Sequence, residues 1–157
     1  MRYADVIWND IAAGDGLCVS FYTQGCPHHC PGCHNPETWD FEGGKDFPST
    51  LLDELPTRLN AQGIKRSLCI LGGEPLCQEN LFLTHLLIRT VKDKSPDTKI
   101  YLWTGYLYED LKESNNTHIQ YILNNINTLI DGPFIQEERD ITLKMRGSRN
   151  QRIIDIQ

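Results

Sequence analysis

Among its 157 residues the sequence has no run approaching the roughly 18 apolar residues that a membrane-spanning helix needs. It is also poor in basic charge: 15 Lys and Arg stand against 21 Asp and Glu, a formal net charge of -6. Phosphate backbones are held by clustered cations, so this balance opposes a nucleic-acid partner. Arg146, Arg149 and Arg152 form the one notable basic group. The opening Met1-Arg2-Tyr3-Ala4-Asp5 has none of the apolar character of an export signal, and the expected location is cytoplasmic. No internal repeat or low-complexity tract is present, and the length suits one globular unit spanning 1–157.

The most informative shortage is a fourth cysteine. Cys26, Cys30 and Cys33 fall in Gly25-Cys26-Pro27-His28-His29-Cys30-Pro31-Gly32-Cys33, and no further thiolate lies nearby to close a four-ligand site. Prolines and glycines around them permit the tight turns by which three sulfurs of one loop converge. Three thiolates can hold three irons of a 4Fe-4S cube and leave the last iron open to a ligand, whereas electron-transfer clusters are usually closed by four. Zinc is the structural alternative, with His28, His29 or His34 as fourth ligand, although structural zinc sites commonly pair two short knuckles. The remaining cysteines suggest packing. Cys18 and Cys69 sit within apolar runs and read as small core residues, and Cys77 follows Gly73-Glu74-Pro75-Leu76.

Short apolar runs at Tyr3 to Trp8, Leu17 to Thr23, Ser67 to Leu71, Lys99 to Thr104, Thr128 to Asp131 and Arg152 to Ile156 predict strands. Helical spacing covers Ser49 to Gln62, Gln78 to Lys92, Tyr106 to Lys112 and His118 to Asn125, with Pro56 expected to kink the first helix or begin a second one. Alternation of this kind predicts an α/β fold with parallel pairing, its sheet curled or partly closed. In such sheets ligands gather beyond the C-terminal strand ends. The cysteine loop, Gly72-Gly73-Glu74-Pro75, Thr104-Gly105-Tyr106 and Asp131-Gly132-Pro133-Phe134 each follow a predicted strand and should share one rim.

Taken with the cysteine loop, Gly72-Gly73-Glu74-Pro75 is more than a strand-to-helix turn. The glycines permit close approach to the backbone, and Glu74 adds a carboxylate that suits an ammonium group. Together these segments resemble the radical S-adenosylmethionine superfamily. Cys33-His34-Asn35-Pro36-Glu37-Thr38-Trp39-Asp40 is similar to its glycyl-radical enzyme activases. Leu102 to Tyr106, Ile130 to Phe134 and Arg146 to Arg152 further resemble the activating proteins of anaerobic (class III) ribonucleoside-triphosphate reductases. The likeness runs from Trp8 to Ile156.

The resemblance implies a small, open partial (β/α) barrel of the radical S-adenosylmethionine type. It implies that Cys26, Cys30 and Cys33 ligate a 4Fe-4S cluster, that S-adenosyl-L-methionine binds at the open iron, and that Gly72, Gly73, Glu74 and Pro75 form the adjoining cofactor segment. Thr104, Tyr106 and Asp131 are candidate contacts to ribose or adenine. His34 and Asn35 would tune the cluster, touch the cofactor or cap the next segment. The implied activity is reductive cleavage of S-adenosylmethionine, with removal of a hydrogen atom from a glycine of the reductase large subunit. The implied electron donor is a flavodoxin or ferredoxin, and the chain could act as a monomer or homodimer. Alternatives are a different small superfamily enzyme, such as another activase or a deazapurine-pathway enzyme, and a non-catalytic zinc-knuckle module.

Overall fold

A computed structural model describes residues 1–157. One seven-stranded sheet, not closed on itself, organises the chain. Its strands are β1 (Arg2–Asp10), β2 (Cys18–Thr23), β3 (Lys45–Asp46), β4 (Ser67–Gly72), β5 (Ile100–Trp103), β6 (Thr128–Asp131) and β7 (Arg152–Asp155), in the order β3-β1-β2-β4-β5-β6-β7. The four central strands β2, β4, β5 and β6 are parallel, as the strand and helix alternation predicts. Both flanks run antiparallel, with β1 against β2 and β7 against β6. The reason lies in the connections. No α-helix separates β1 from β2 or β6 from β7, so the chain turns back beside the strand it has just left.

The helices are α1 (Thr50–Leu59), α2 (Gln78–Lys94), α3 (Tyr108–Glu113) and α4 (Thr117–Asn125). Proline does not end the first helix: α1 runs through Pro56 to Leu59, and a short 3-10 turn, Ala61–Gly63, follows. Asn116 caps α4, its side-chain oxygen accepting from the His118 and Ile119 N–H groups that the first turn leaves unpaired.

Period-two alternation sorts the strand side chains between two apolar layers. Val19, Phe21, Leu68, Ile70, Ile100, Leu102 and Leu129 join the main core with Leu83, Leu87, Ile88 and Val91 of α2 and Ile122 of α4. Cys18, Cys69, Tyr101 and Ile130 form a smaller core, against which Ala13, Leu71, Trp103 and Met145 pack. Burial on both faces explains why these strands read as nearly continuous apolar runs. Cys18 and Cys69 are fully buried and Cys77 nearly so, in keeping with packing roles. No helix is long and apolar enough to cross a membrane.

Candidate active site

Because β2, β4, β5 and β6 point the same way, their C-terminal ends lie on one rim. From that rim emerge the cysteine loop, Gly73 to Cys77, Thr104 to Leu107, and the long 132–151 connection. Together with residues 12–13 they enclose a cavity of about 390 Å³.

Cysteine loop geometry is set by its own backbone. Gly25 takes a left-handed φ of 105°, and its N–H donates to the Thr38 carbonyl at 2.6 Å; Cys26 N–H reaches the Trp39 carbonyl. The Gln24 side-chain amide clasps the loop's return, its Nε2 donating to the carbonyls of Glu37 and Asp40. A turn from Cys30 to Cys33, with Gly32 at φ 77°, brings the last two cysteines together. All three cysteines line the cavity, Cys26 buried and Cys30 and Cys33 half-buried. Burial pushes the Cys26 thiol up from its ordinary range, while the His28 and His29 N–H groups act in the opposite direction. The Asn35 N–H donates to Cys33 Sγ at 3.4 Å. Peptide N–H groups directed at sulfur suit thiolates that serve as ligands.

Glu74 occupies the junction of the walls and is 1% exposed. Oε1 lies 2.7 Å from His28 Nε2 and accepts from the Gly105 N–H at 2.7 Å. Oε2 accepts from the Leu76 N–H at 2.9 Å and the Thr104 hydroxyl at 2.8 Å. Both oxygens are therefore committed to the protein, and the carboxylate joins β4, β5 and the cysteine loop. Neighbouring Gly73 also lines the cavity, and its carbonyl accepts no hydrogen bond. A side chain at Gly73 would place its Cβ 2.4 Å from the Gly25 carbonyl oxygen, so close packing of the two loops requires glycine there.

The opposite wall is the 132–151 connection. Trp103 Nε1 donates to the Met145 carbonyl, and Met145 adopts φ 59°, a left-handed conformation uncommon for a side-chain-bearing residue. Gln151 orders the segment: its Oε1 accepts from Gly147 and Ser148 N–H groups, and its Nε2 donates to the Gly132 carbonyl. Gly147 packs beneath Phe134 and His34.

Of the residues singled out in the sequence, Cys26, Cys30, Cys33, His34, Asn35, Gly72, Gly73, Glu74 and Thr104 line this one cavity. Pro75, Tyr106 and Asp131 do not. Asp131 is fully buried, its carboxylate accepting from Tyr108 N–H and pairing with Arg152 at 2.6 Å, so it braces β6, β7 and α3 instead of facing the cavity. Tyr106 meets His28 edge-on at 4.7 Å, and its N–H uses the Thr104 hydroxyl. Thr104 has thus placed its hydroxyl between Glu74 and Tyr106. Asn35 begins the short Pro36–Thr38 3-10 turn without a side-chain cap, its carbonyl accepting from Thr38.

Sequence reading missed Ala12, Ala13, Leu143 and Met145 as cavity residues. They carry no motif of their own, and only the folding back of their loops brings them to the rim. Trp39 and Arg146 each have a buried nitrogen, Nε1 and Nε respectively, without a hydrogen-bond partner, and both line the cavity.

No three His, Cys, Asp or Glu side chains are grouped so that they could hold one metal ion. The histidines that would complete a zinc site are drawn elsewhere: His28 to Glu74, His29 onto the Trp39 ring at 4.7 Å, and His34 against Phe134. A cube, whose ligands attach at separate corner irons, suits three thiols spread along one cavity better than a single ion does.

A family model described as a 4Fe-4S single cluster domain matches residues 12–154. The anaerobic ribonucleoside-triphosphate reductase-activating protein of Vibrio cholerae is 36% identical over 152 residues, covering 96% of both chains. Its counterpart in Escherichia coli K12 is 34% identical over 152 residues, again 96% of both chains. That of enterobacteria phage T4 is 34% identical over 155 residues, 98% of this chain and 93% of its own.

Proposed function

This chain belongs to the family of anaerobic ribonucleoside-triphosphate reductase-activating proteins, and from that premise we propose that it generates the glycyl radical of such a reductase. The observation carrying this reading is an open set of three thiols lining one cavity together with Gly73, whose carbonyl accepts no hydrogen bond. Cys26, Cys30 and Cys33 hold a 4Fe-4S cluster, and the space between them and Gly73 takes S-adenosyl-L-methionine. Bound there, these groups would supply one-electron reductive cleavage of the cofactor's carbon-sulfur bond, the electron coming from an external donor, and the organic radical so released would take a hydrogen atom from the partner's glycine.

The protein's own task is positioning. Gly73 offers a carbonyl acceptor to the cofactor ammonium, and Glu74 serves that contact indirectly, by holding the Gly73 turn, the β5 end and His28 in one arrangement. His34 and Asn35 border the last cluster ligand, where the Asn35 N–H tunes the Cys33 sulfur. Thr104 shapes the floor of the cofactor site.

The sheet is taken as a partial (β/α) barrel of the radical S-adenosylmethionine type, within a single 1–157 domain, open at the side. Two loops flank this opening, 11–16 and 139–147, bridged by Lys144 and Asp15 at 3.5 Å. Ile11 and Ile141 project from them, 81% and 84% exposed. These apolar side chains form the seat for the glycine-bearing loop of the reductase, while a flavodoxin or ferredoxin delivers the electron. Six free cysteines accord with action in the reducing cytoplasm.

Anaerobic reconstitution tests the reading. About four iron and four sulfide per chain are expected, with a reduced-state paramagnetic signal altered by S-adenosylmethionine. Adding the reductase should increase 5'-deoxyadenosine formation and produce a glycyl radical. Stoichiometric zinc and no response to the cofactor would refute it.

A further inference from the structure

We propose that Arg146 is the carboxylate receptor of the cavity, and that it takes the methionine carboxylate of S-adenosylmethionine. This assignment rests on the function proposed above, but the observations behind it are independent of the cysteine motif. Arg146 lines the cavity and forms no salt bridge with any acidic residue. Its guanidinium is used on one side only: Nη1 donates to the Gln151 carbonyl at 3.0 Å. Nε is buried without a partner, and Nη2 makes no hydrogen bond.

That free Nε and Nη2 edge is the planar fork by which arginine grips a carboxylate through two parallel N–H bonds. A buried charged donor left unpaired is costly, so the fork calls for an anionic acceptor. The protein offers none. Glu74 is the sole carboxylate lining the cavity, and its oxygens already accept from or pair with four other groups. Asp140 feels the charge of Arg149 and Arg146, yet lies in no ion pair with either.

The segment is built to hold this side chain still. Trp103 fastens the Met145 carbonyl, Met145 accepts a left-handed backbone, and Gln151 captures the Gly147 and Ser148 N–H groups on the other side. Arg146 stands between these anchors. With the free Gly73 carbonyl it gives the cavity one acceptor suited to an ammonium and one fork suited to a carboxylate, the two ends of an amino acid. A carboxylate has two acceptor oxygens, so contact with the open iron would still leave lone pairs for such a fork.

Equilibrium binding to the cluster-loaded protein decides the matter, using S-adenosylmethionine and its decarboxylated analogue, which keeps the amine and adenosine. Arg146→Gln should weaken S-adenosylmethionine binding by about 10- to 100-fold and change the analogue by less than about threefold. Arg146→Lys, which keeps the charge without the fork, should recover part of the loss. Equal losses for both ligands, or none, would overturn the assignment. Loss of reductase binding alone would give the guanidinium to a partner carboxylate, and also overturns it. Should the wild-type protein bind neither ligand, the proposed function itself falls and this assignment with it.

Discussion

His28 Nε2 lies 2.7 Å from Glu74 Oε1, a contact that joins the cysteine loop to the end of β4 across 46 positions of sequence. Glu74 is 1% exposed, so the contact is shielded from water on one side and is worth more than a surface pair. It changes how Gly72-Gly73-Glu74-Pro75 works: the carboxylate holds the walls of the cavity together, and the backbone beside it remains free for a ligand.

Replacement of Glu74 by glutamine tests that role. Each oxygen accepts from one peptide N–H, Gly105 for Oε1 and Leu76 for Oε2, so either orientation of an amide points its NH₂ at another donor. Glu74→Gln should lower unfolding stability by about 1–3 kcal/mol and reduce iron retention. Unchanged denaturation midpoint and iron content would show that the carboxylate is not the brace described.

Gly73→Ala should be more damaging to the site than to the fold. Its Cβ would stand 2.4 Å from the Gly25 carbonyl oxygen and 3.0 Å from that of Thr38, backbone atoms that cannot rotate away. The two loops must separate, and we expect loss of S-adenosylmethionine binding with a largely unaltered circular dichroism spectrum. Binding at the wild-type level would contradict the close approach.

Cysteine substitutions should divide sharply. Cys26→Ser, Cys30→Ser or Cys33→Ser is expected to lose the cluster, read by iron content and visible absorbance. Cys18→Ala and Cys69→Ala remove fully buried atoms of the smaller core and should cost about 1 kcal/mol each while leaving iron content intact. Iron lost equally from all five variants would remove the distinction.

Proton linkage is expected on the far side of the helices. His85 of α2 stacks on Tyr121 at 4.3 Å, and its Nδ1 lies 3.0 Å from His118 Nδ1. Burial lowers its pKa, helped by the positive charge of His118 and Arg89. A histidine depressed in the folded state binds fewer protons there than when unfolded. Its contribution to stability is therefore present above about pH 6.5 and lost as pH falls. Thermal unfolding between pH 8 and pH 5 should show this loss in the wild type and a flatter profile for His85→Gln. Identical profiles would exclude His85 as the titrating group.

At the cavity mouth, Ile141→Asp and Ile11→Asp should weaken reductase-dependent radical formation and leave S-adenosylmethionine affinity unchanged, since both side chains are exposed and neither lines the cavity. Radical yield equal to wild type in both variants would move the docking surface elsewhere.

Much of the fold was legible from the sequence because it depends on local pattern. Alternating and continuous apolar runs marked six of the strands, helical spacing marked four helices, and the cysteine spacing with the strand-end glycines marked the rim. The two-residue β3 was too short to leave a pattern, and the antiparallel flanks followed from connections without an α-helix, which the strand pattern alone did not weigh.

What tertiary structure alone decided was the direction in which each polar group turned. Asp131 and Thr104 follow strand ends as plausibly as any ligand contact, yet one is bound to Arg152 and Tyr108 and the other to Glu74 and Tyr106. In the sequence Arg146 is one of a basic group within a family-like segment, and only the structure puts it on the cavity wall with a free edge. Spacing along a chain determines which residues can leave a strand together, whereas hydrogen-bond partners lie tens of positions away and compete for every donor and acceptor. Only the folded arrangement settles that competition, and with it which groups remain free to receive a ligand.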